Sequence, residues 1–296
     1  MVEKAMGRRW KWLAASACGV AAVACVACAP LLTFDTLVPK DGDGVRIAKD
    51  IPYGDGPRQK LDIYAPRDTH ADAMLPVIIF FYGGSWASGT RAGYAFVGRA
   101  LAAQGFLVVI PDYRIGPDNL YPDFVQDGAS AVRWTVEHGQ VYGGAPHAII
   151  VSGHSAGAYI AAMLAVDERW LGADRAAIKG LVGIAGPYDF APFDVAASKN
   201  AFGTWPNPAE TQPVHWAGAG DPPSLLLVGD ADQTVHARNS QALAAKLGAA
   251  GVPVRIKCYS GIGHIGMVTA IARPFRYRAS IVADITDFVS SVAPAR

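Results

Sequence analysis

Apolar and polar positions repeat along this chain at two periods. From Lys60 to Tyr64 they alternate one by one, as in a strand with one buried face. Pro76–Phe81 is instead a continuous apolar run, and Phe106–Ile110, His147–Ser152, Gly180–Ala185 and Ser224–Val228 read the same way. Short apolar runs bounded by Gly or Pro predict strands buried on both faces, as in the middle of a parallel sheet. Val254–Tyr259 predicts a last strand. Between the runs, helical spacing predicts helices at about Tyr94–Gln104 (stopped by Gly105), Asp123–His138, Ala156–Ala165, about His236–Ala249 and Ile281–Val292. This alternation predicts an α/β fold, a mainly parallel sheet with helices on both faces, in one large domain spanning 29–296.

One stretch interrupts the alternation. Residues 186–223 are rich in Pro, Gly and aromatics, among them Tyr188, Phe190, Phe193, Phe202, Trp205 and Trp216. A connection this long inside a domain is usually functional. It is either a surface excursion packing its own aromatics or a small cap over a site.

The candidate chemistry sits where a predicted strand meets a predicted helix, at Gly153-His154-Ser155-Ala156-Gly157. A sharp strand-to-helix turn forces Ser155 into a strained backbone conformation with its hydroxyl exposed, and the flanking glycines let strand and helix approach closely. A serine hydroxyl needs a base in hydrogen-bond reach, itself oriented by an acid. Of seven histidines, His264 is the candidate base, because it lies in a Gly-rich loop directly after the last strand. His154, one residue from the nucleophile, is poorly placed to take its proton. After the Ser224–Val228 strand come Asp230 and Asp232. Asp232, deeper in the loop, is the better candidate acid, and Asp230 is read as a turn cap. Tyr82-Gly83-Gly84-Ser85-Trp86 follows another strand, and its glycines leave backbone N–H groups unobstructed. The N–H groups of Ala156 and of Gly84 or Ser85 are therefore the candidate oxyanion donors.

With these motifs in place the chain resembles the α/β-hydrolase superfamily, and more closely the carboxylesterases related to the hormone-sensitive-lipase group and to arylformamidases. The resemblance rests on Tyr82–Trp86, Asp112-Tyr113-Arg114, Gly153–Gly157, the set Gly229, Asp232 and Val235, and Gly263-His264, spanning roughly Tyr53 to Val289. It implies a Ser155–His264–Asp232 triad, an oxyanion hole from Gly84, Ser85 and Ala156, and no metal or organic cofactor. Tyr82 stands where the family carries His, which puts loop shape and substrate range in question. The function expected is hydrolysis of a small-molecule carboxylic ester through an acyl-enzyme. The alternatives are an arylformamidase-like amidase and a catalytically silent binding scaffold. Trp86, Tyr113 and Tyr188, with the aromatic insertion, are the candidate lining of an apolar pocket for short or aromatic esters.

Charge and cysteines add the compartment. The net charge is +1, and the first 28 residues hold Lys4, Arg8, Arg9 and Lys11 against Glu3, leaving the body near −2. A near-neutral body gives no electrostatic case for nucleic acid. The basic start followed by the apolar run Leu13–Ala27 reads as an export signal, since about 15 residues is short of the roughly 20 a membrane span needs. Cys28, after Ala27, is the candidate lipid-bearing cysteine of a bacterial lipoprotein. Cys25 or Cys18 as acceptor, secretion after Ala27, and an uncleaved anchor remain open. Each places the body outside the cytoplasm, with membrane contact only through the leader or its lipid. Cys258, the fourth cysteine, is expected in the core.

Overall fold

The apolar runs become the inner strands of one eight-stranded sheet. The computed structural model describes residues 30–294; the leader, with Cys28, lies outside the described residues. The strands are β1 (Gly44–Pro52), β2 (Lys60–Pro66), β3 (Leu75–Phe81), β4 (Leu107–Pro111), β5 (Gly144–His154), β6 (Ile178–Ile184), β7 (Ser224–Gly229) and β8 (Val254–Tyr259). Their order is β1-β2-β4-β3-β5-β6-β7-β8. β2 is antiparallel to both neighbours and the rest run parallel. Register aligns Phe81 with Gly153, and Gly153 with Gly183, so β3, β5 and β6 end together on one edge.

The helices are α1 (Pro30–Leu37), α2 (Ala95–Ala102), α3 (Asp123–His138), α4 (Ala156–Val166), α5 (Ala196–Phe202), α6 (Pro213–Trp216), α7 (Arg238–Ala249), α8 (His264–Thr269) and α9 (Ile281–Val292). α4 has no polar stripe because every residue in it is buried, as a helix apolar on all sides must be. None of the described helices is long and apolar enough to cross a membrane.

Two departures from the sequence reading share a cause. β1 escaped prediction because it is an edge strand with mostly exposed or half-buried residues, which leaves no hydrophobic alternation. At the opposite edge Cys258 is exposed rather than in the core. Among the described residues β8 has one neighbouring strand, and its residues 255–258 face solvent.

The insertion 186–223 folds into α5, a 3-10 turn at Pro208–Thr211 and α6. Its aromatics pack downward: Phe202 meets Trp86 at 4.8 Å, Tyr159 of α4 at 5.2 Å and Phe124 of α3 at 5.6 Å between ring centroids. Tyr159 donates its hydroxyl to the Thr211 carbonyl at 2.7 Å, and Asn239 Oδ1 accepts from the N–H groups of Tyr188 and Asp189.

Candidate active site

The sheet's carboxyl edge gathers the loops after β3, β5, β7 and β8, the region where open α/β sheets place their sites. Between β5 and α4 the chain reverses at Ser155, whose φ of 55° and ψ of −124° lie in a region non-glycine residues avoid. The turn holds because neighbouring glycines admit close contact. A Cβ on Gly157 would lie 2.0 Å from the Phe81 carbonyl oxygen, and one on Gly153 would lie 2.4 Å from Gly157.

His264 opens α8. Its Nε2 lies 2.9 Å from Ser155 Oγ and its Nδ1 lies 2.8 Å from Asp232 Oδ2. Asp232 is turned toward the imidazole by its own loop, because its Oδ1 accepts from the N–H groups of Thr234 and Val235 at 2.8 and 2.9 Å. Burial raises the Asp232 carboxyl, but the His264 hydrogen bond and those two N–H donors outweigh it and hold the pKa below the ordinary carboxylate value. Asp230 ties the two loops together by accepting from the Gly261 N–H at 2.6 Å, a longer reach than the turn cap expected of it. Gly229 lets the loops cross, since a Cβ there would lie 2.0 Å from the Ile262 carbonyl oxygen.

Facing Ser155 is the loop after β3. Gly84 has φ of 141°, while Ser85 and Trp86 take φ of 54° and 58°, three consecutive residues in sparsely populated backbone. The N–H groups of Gly84, Ser85 and Ala156 donate to no other group among the described residues. They are free donors at a helix start and a strained loop, as candidate oxyanion donors would have to be.

The strain in that loop is held from below by Tyr82 and Tyr113, both marked in the sequence, and by Arg58, which was not. Arg58 donates to the Tyr82 hydroxyl at 2.7 Å, to the Gly89 carbonyl at 3.0 Å and to the Tyr113 carbonyl at 2.9 Å. Tyr113 stacks on Tyr82 at 4.6 Å and donates its hydroxyl to the Tyr82 carbonyl. Tyr82 thus braces the loop through Arg58. No sequence signal marks Arg58, because its partners are 24 to 55 residues away.

The three aromatic candidates for the pocket separate. Trp86 sits on the loop itself, among Phe190, Phe202, Phe124 and Tyr159. Tyr113 and Tyr188 are corrections to the pocket reading, because both are fully buried. Tyr113 is a loop brace, and the Tyr188 hydroxyl is pressed against the backbone of Gly183 and Gly186, where a Cβ would meet it at 1.9 and 2.4 Å. Among the described residues no group of three or more His, Cys, Asp or Glu side chains is placed to hold a metal.

Comparison with known proteins agrees with this architecture. The BD-FAE family profile matches residues 61–247. Isoprenylcysteine alpha-carbonyl methylesterase from Arabidopsis thaliana is 27% identical over 243 residues, covering 74% of this chain and 56% of that protein. Esterase LipC from Mycobacterium tuberculosis is 36% identical over 148 residues, 47% of this chain and 36% of that protein. The chain therefore spans about half or less of the length of these curated relatives. Among solved structures, Thermogutta terrifontis esterase 2 phosphorylated by paraoxon superimposes with a TM-score of 0.71 at 22% identity, covering 87% of this chain and 97% of the other.

Proposed function

The chain belongs to the BD-FAE family and has the α/β-hydrolase fold, and on that premise we propose that it is a serine hydrolase of carboxylic esters. The observation that carries this reading is the continuous hydrogen-bonded line from Ser155 Oγ through His264 to Asp232, facing three unused N–H donors.

In the proposed reaction His264 Nε2 takes the Ser155 proton as Oγ attacks the ester carbonyl carbon. Asp232 holds Nδ1–H and balances the imidazolium that forms. The N–H groups of Gly84, Ser85 and Ala156 receive the carbonyl oxygen as it gains charge. His264 then protonates the leaving alcohol, and water, deprotonated by the same nitrogen, releases the acid from Ser155. The substrate class is an ester with a short acyl group, a reading supported by the bulk of Trp86, Phe190 and Phe202 packed together beside the oxyanion loop.

Labelling with a fluorophosphonate probe tests the nucleophile. The label is expected on Ser155, and Ser155→Ala should fold while losing the label and at least about 10⁴-fold in ester turnover. Wild-type turnover in that variant would overturn the assignment. The acyl preference is read with p-nitrophenyl esters. Efficiency should fall from acetate to octanoate, and Trp86→Ala should move the optimum to longer chains.

For location, the leader supports export with Cys28 as the lipidated residue. An alkyne-tagged fatty acid should label the wild-type chain in cells and not Cys28→Ser, and equal labelling of both would remove Cys28 as acceptor.

A further inference from the structure

His154, the residue before the nucleophile, is fully buried and belongs to no part of the reaction just described. Its ring lies 4.9 Å from that of His264. Its Nε2 is 3.2 Å from the His264 backbone carbonyl oxygen and its Nδ1 is 3.3 Å from the Tyr94 hydroxyl. Tyr94 Oη in turn accepts the Gly83 N–H at 3.1 Å. A carbonyl oxygen only accepts, so Nε2 must carry the proton and Nδ1 must accept from Tyr94. The two bonds select one tautomer.

We propose that His154 is a positioning residue that couples the oxyanion loop to the loop bearing the catalytic base. The coupling runs from Gly83 N–H to Tyr94 Oη, from Tyr94 O–H to His154 Nδ1, and from His154 Nε2–H to the His264 carbonyl. Gly83 precedes the oxyanion donors and His264 is the base, so the relay fixes acceptor loop, nucleophile and base relative to one another. Close fit supports it: a Cβ on Gly83 would touch His154 Nδ1, the His154 carbonyl oxygen and Ser155 Cβ, all at 3.0 Å. The relay needs a neutral imidazole. Burial and the neighbouring His264 push the His154 pKa down to about 3, against smaller opposing effects of the His264 carbonyl and of Asp232. On the third side Tyr94, its own pKa raised by burial, stays protonated as the donor. A neutral neighbour also spares the His264 imidazolium a like charge beside it.

The proposal rests on the triad reading for its kinetic consequence, but its first test does not. In the full chain with ¹⁵N-labelled imidazoles, His154 should show a protonated Nε2 and no titration between pH 5 and 8. A protonated Nδ1, or titration in that range, would overturn the relay whatever Ser155 does. In kinetics, His154→Leu should lower kcat by about 10- to 100-fold with KM within a factor of about three, because small displacements of reacting groups act on the chemical step. His154→Gln, whose amide N–H can reach the His264 carbonyl, should recover most of that loss. Wild-type kcat in the Leu variant, or equal losses in Leu and Gln, would count against coupling. Should the Leu variant fail to fold, Tyr94→Phe removes the middle link with little change of volume, and wild-type kcat there would equally refute it. Failure of the triad itself would appear separately, as turnover surviving in Ser155→Ala.

Discussion

Ser85, Trp86, Ser155 and Ala185 all take positive φ, and all lie at the carboxyl ends of β3, β5 and β6. Strain of this kind, roughly 1–3 kcal/mol per residue, persists only where surrounding contacts over-determine the backbone. Those contacts are specific to single side chains. Asp232 supplies two carboxylate oxygens, one for its own loop and one for His264. Asp232→Asn should therefore keep the fold yet lower kcat by about 10³- to 10⁴-fold, because an amide no longer enforces the reactive imidazole tautomer. A loss under tenfold in kcat would argue against the role. The sign of the pH effect follows from the depressed carboxyl. Its stabilisation is complete above the unfolded value of about 3.9 and fades as pH falls through the lower folded value. The stability gap between wild type and Asp232→Asn should accordingly narrow from pH 6 to pH 3 in urea titrations, and a constant gap would show that the shift is absent.

At the scale of elements, the same substitution should have opposite signs in two helices. Gly157 in α4 has the Phe81 carbonyl 2.0 Å from where a Cβ would stand, so Gly157→Ala should cost about 3 kcal/mol or prevent folding. Gly248 in α7 has ordinary helical φ, with only Val254 near, at 3.9 Å. Gly248→Ala should stabilise by about 0.5–1 kcal/mol, by restricting the unfolded chain and favouring the helix. Urea midpoints of both variants check the pair, and a stabilised Gly157→Ala would refute the close approach of α4 to β3. How far an element was legible in the sequence depended instead on whether its period could show. α3, β8 and α9 fall on the residues that periodicity predicts, because each carries enough residues to show its period. α5, α6 and α8 are too short to show one, and their place is decided by what they pack against.

Across the molecule, one arginine joins segments that sequence keeps apart. Arg91 pairs with Asp50 on β1, Asp62 on β2 and Asp112 beyond β4, while Arg46 and Arg58 complete the set. Asp62 and Asp112 are buried, so removing Arg91 leaves each with a single arginine, Arg46 for Asp62 and Arg58 for Asp112. Arg91→Met should cost about 1.5–3 kcal/mol through the lost charge-assisted hydrogen bonds, seen as a lower urea midpoint with an unchanged slope. A loss under about 1 kcal/mol would show that the network contributes little. Asp112 also accepts the Arg91 N–H and lies next to Tyr113, which holds the Tyr82 carbonyl, so this network is joined to the loop after β3.

The chain alone determined the α/β alternation, the elbow at Ser155 and the choice of His264 and Asp232, which the structure brings into hydrogen-bonded line with it. Each of these is written locally, as a run of apolar residues or as glycines beside a reactive side chain at the end of a strand. Tertiary structure alone decided that Arg58, Tyr94 and His154 lie against the site, that Tyr113 braces the loop after β3 while Tyr188 packs against Gly183 and Gly186, and that Cys258 faces solvent. Those outcomes depend on which strands are neighbours and which lie at the edges. A residue's period along the chain carries no record of the partner that will face it from tens of residues away.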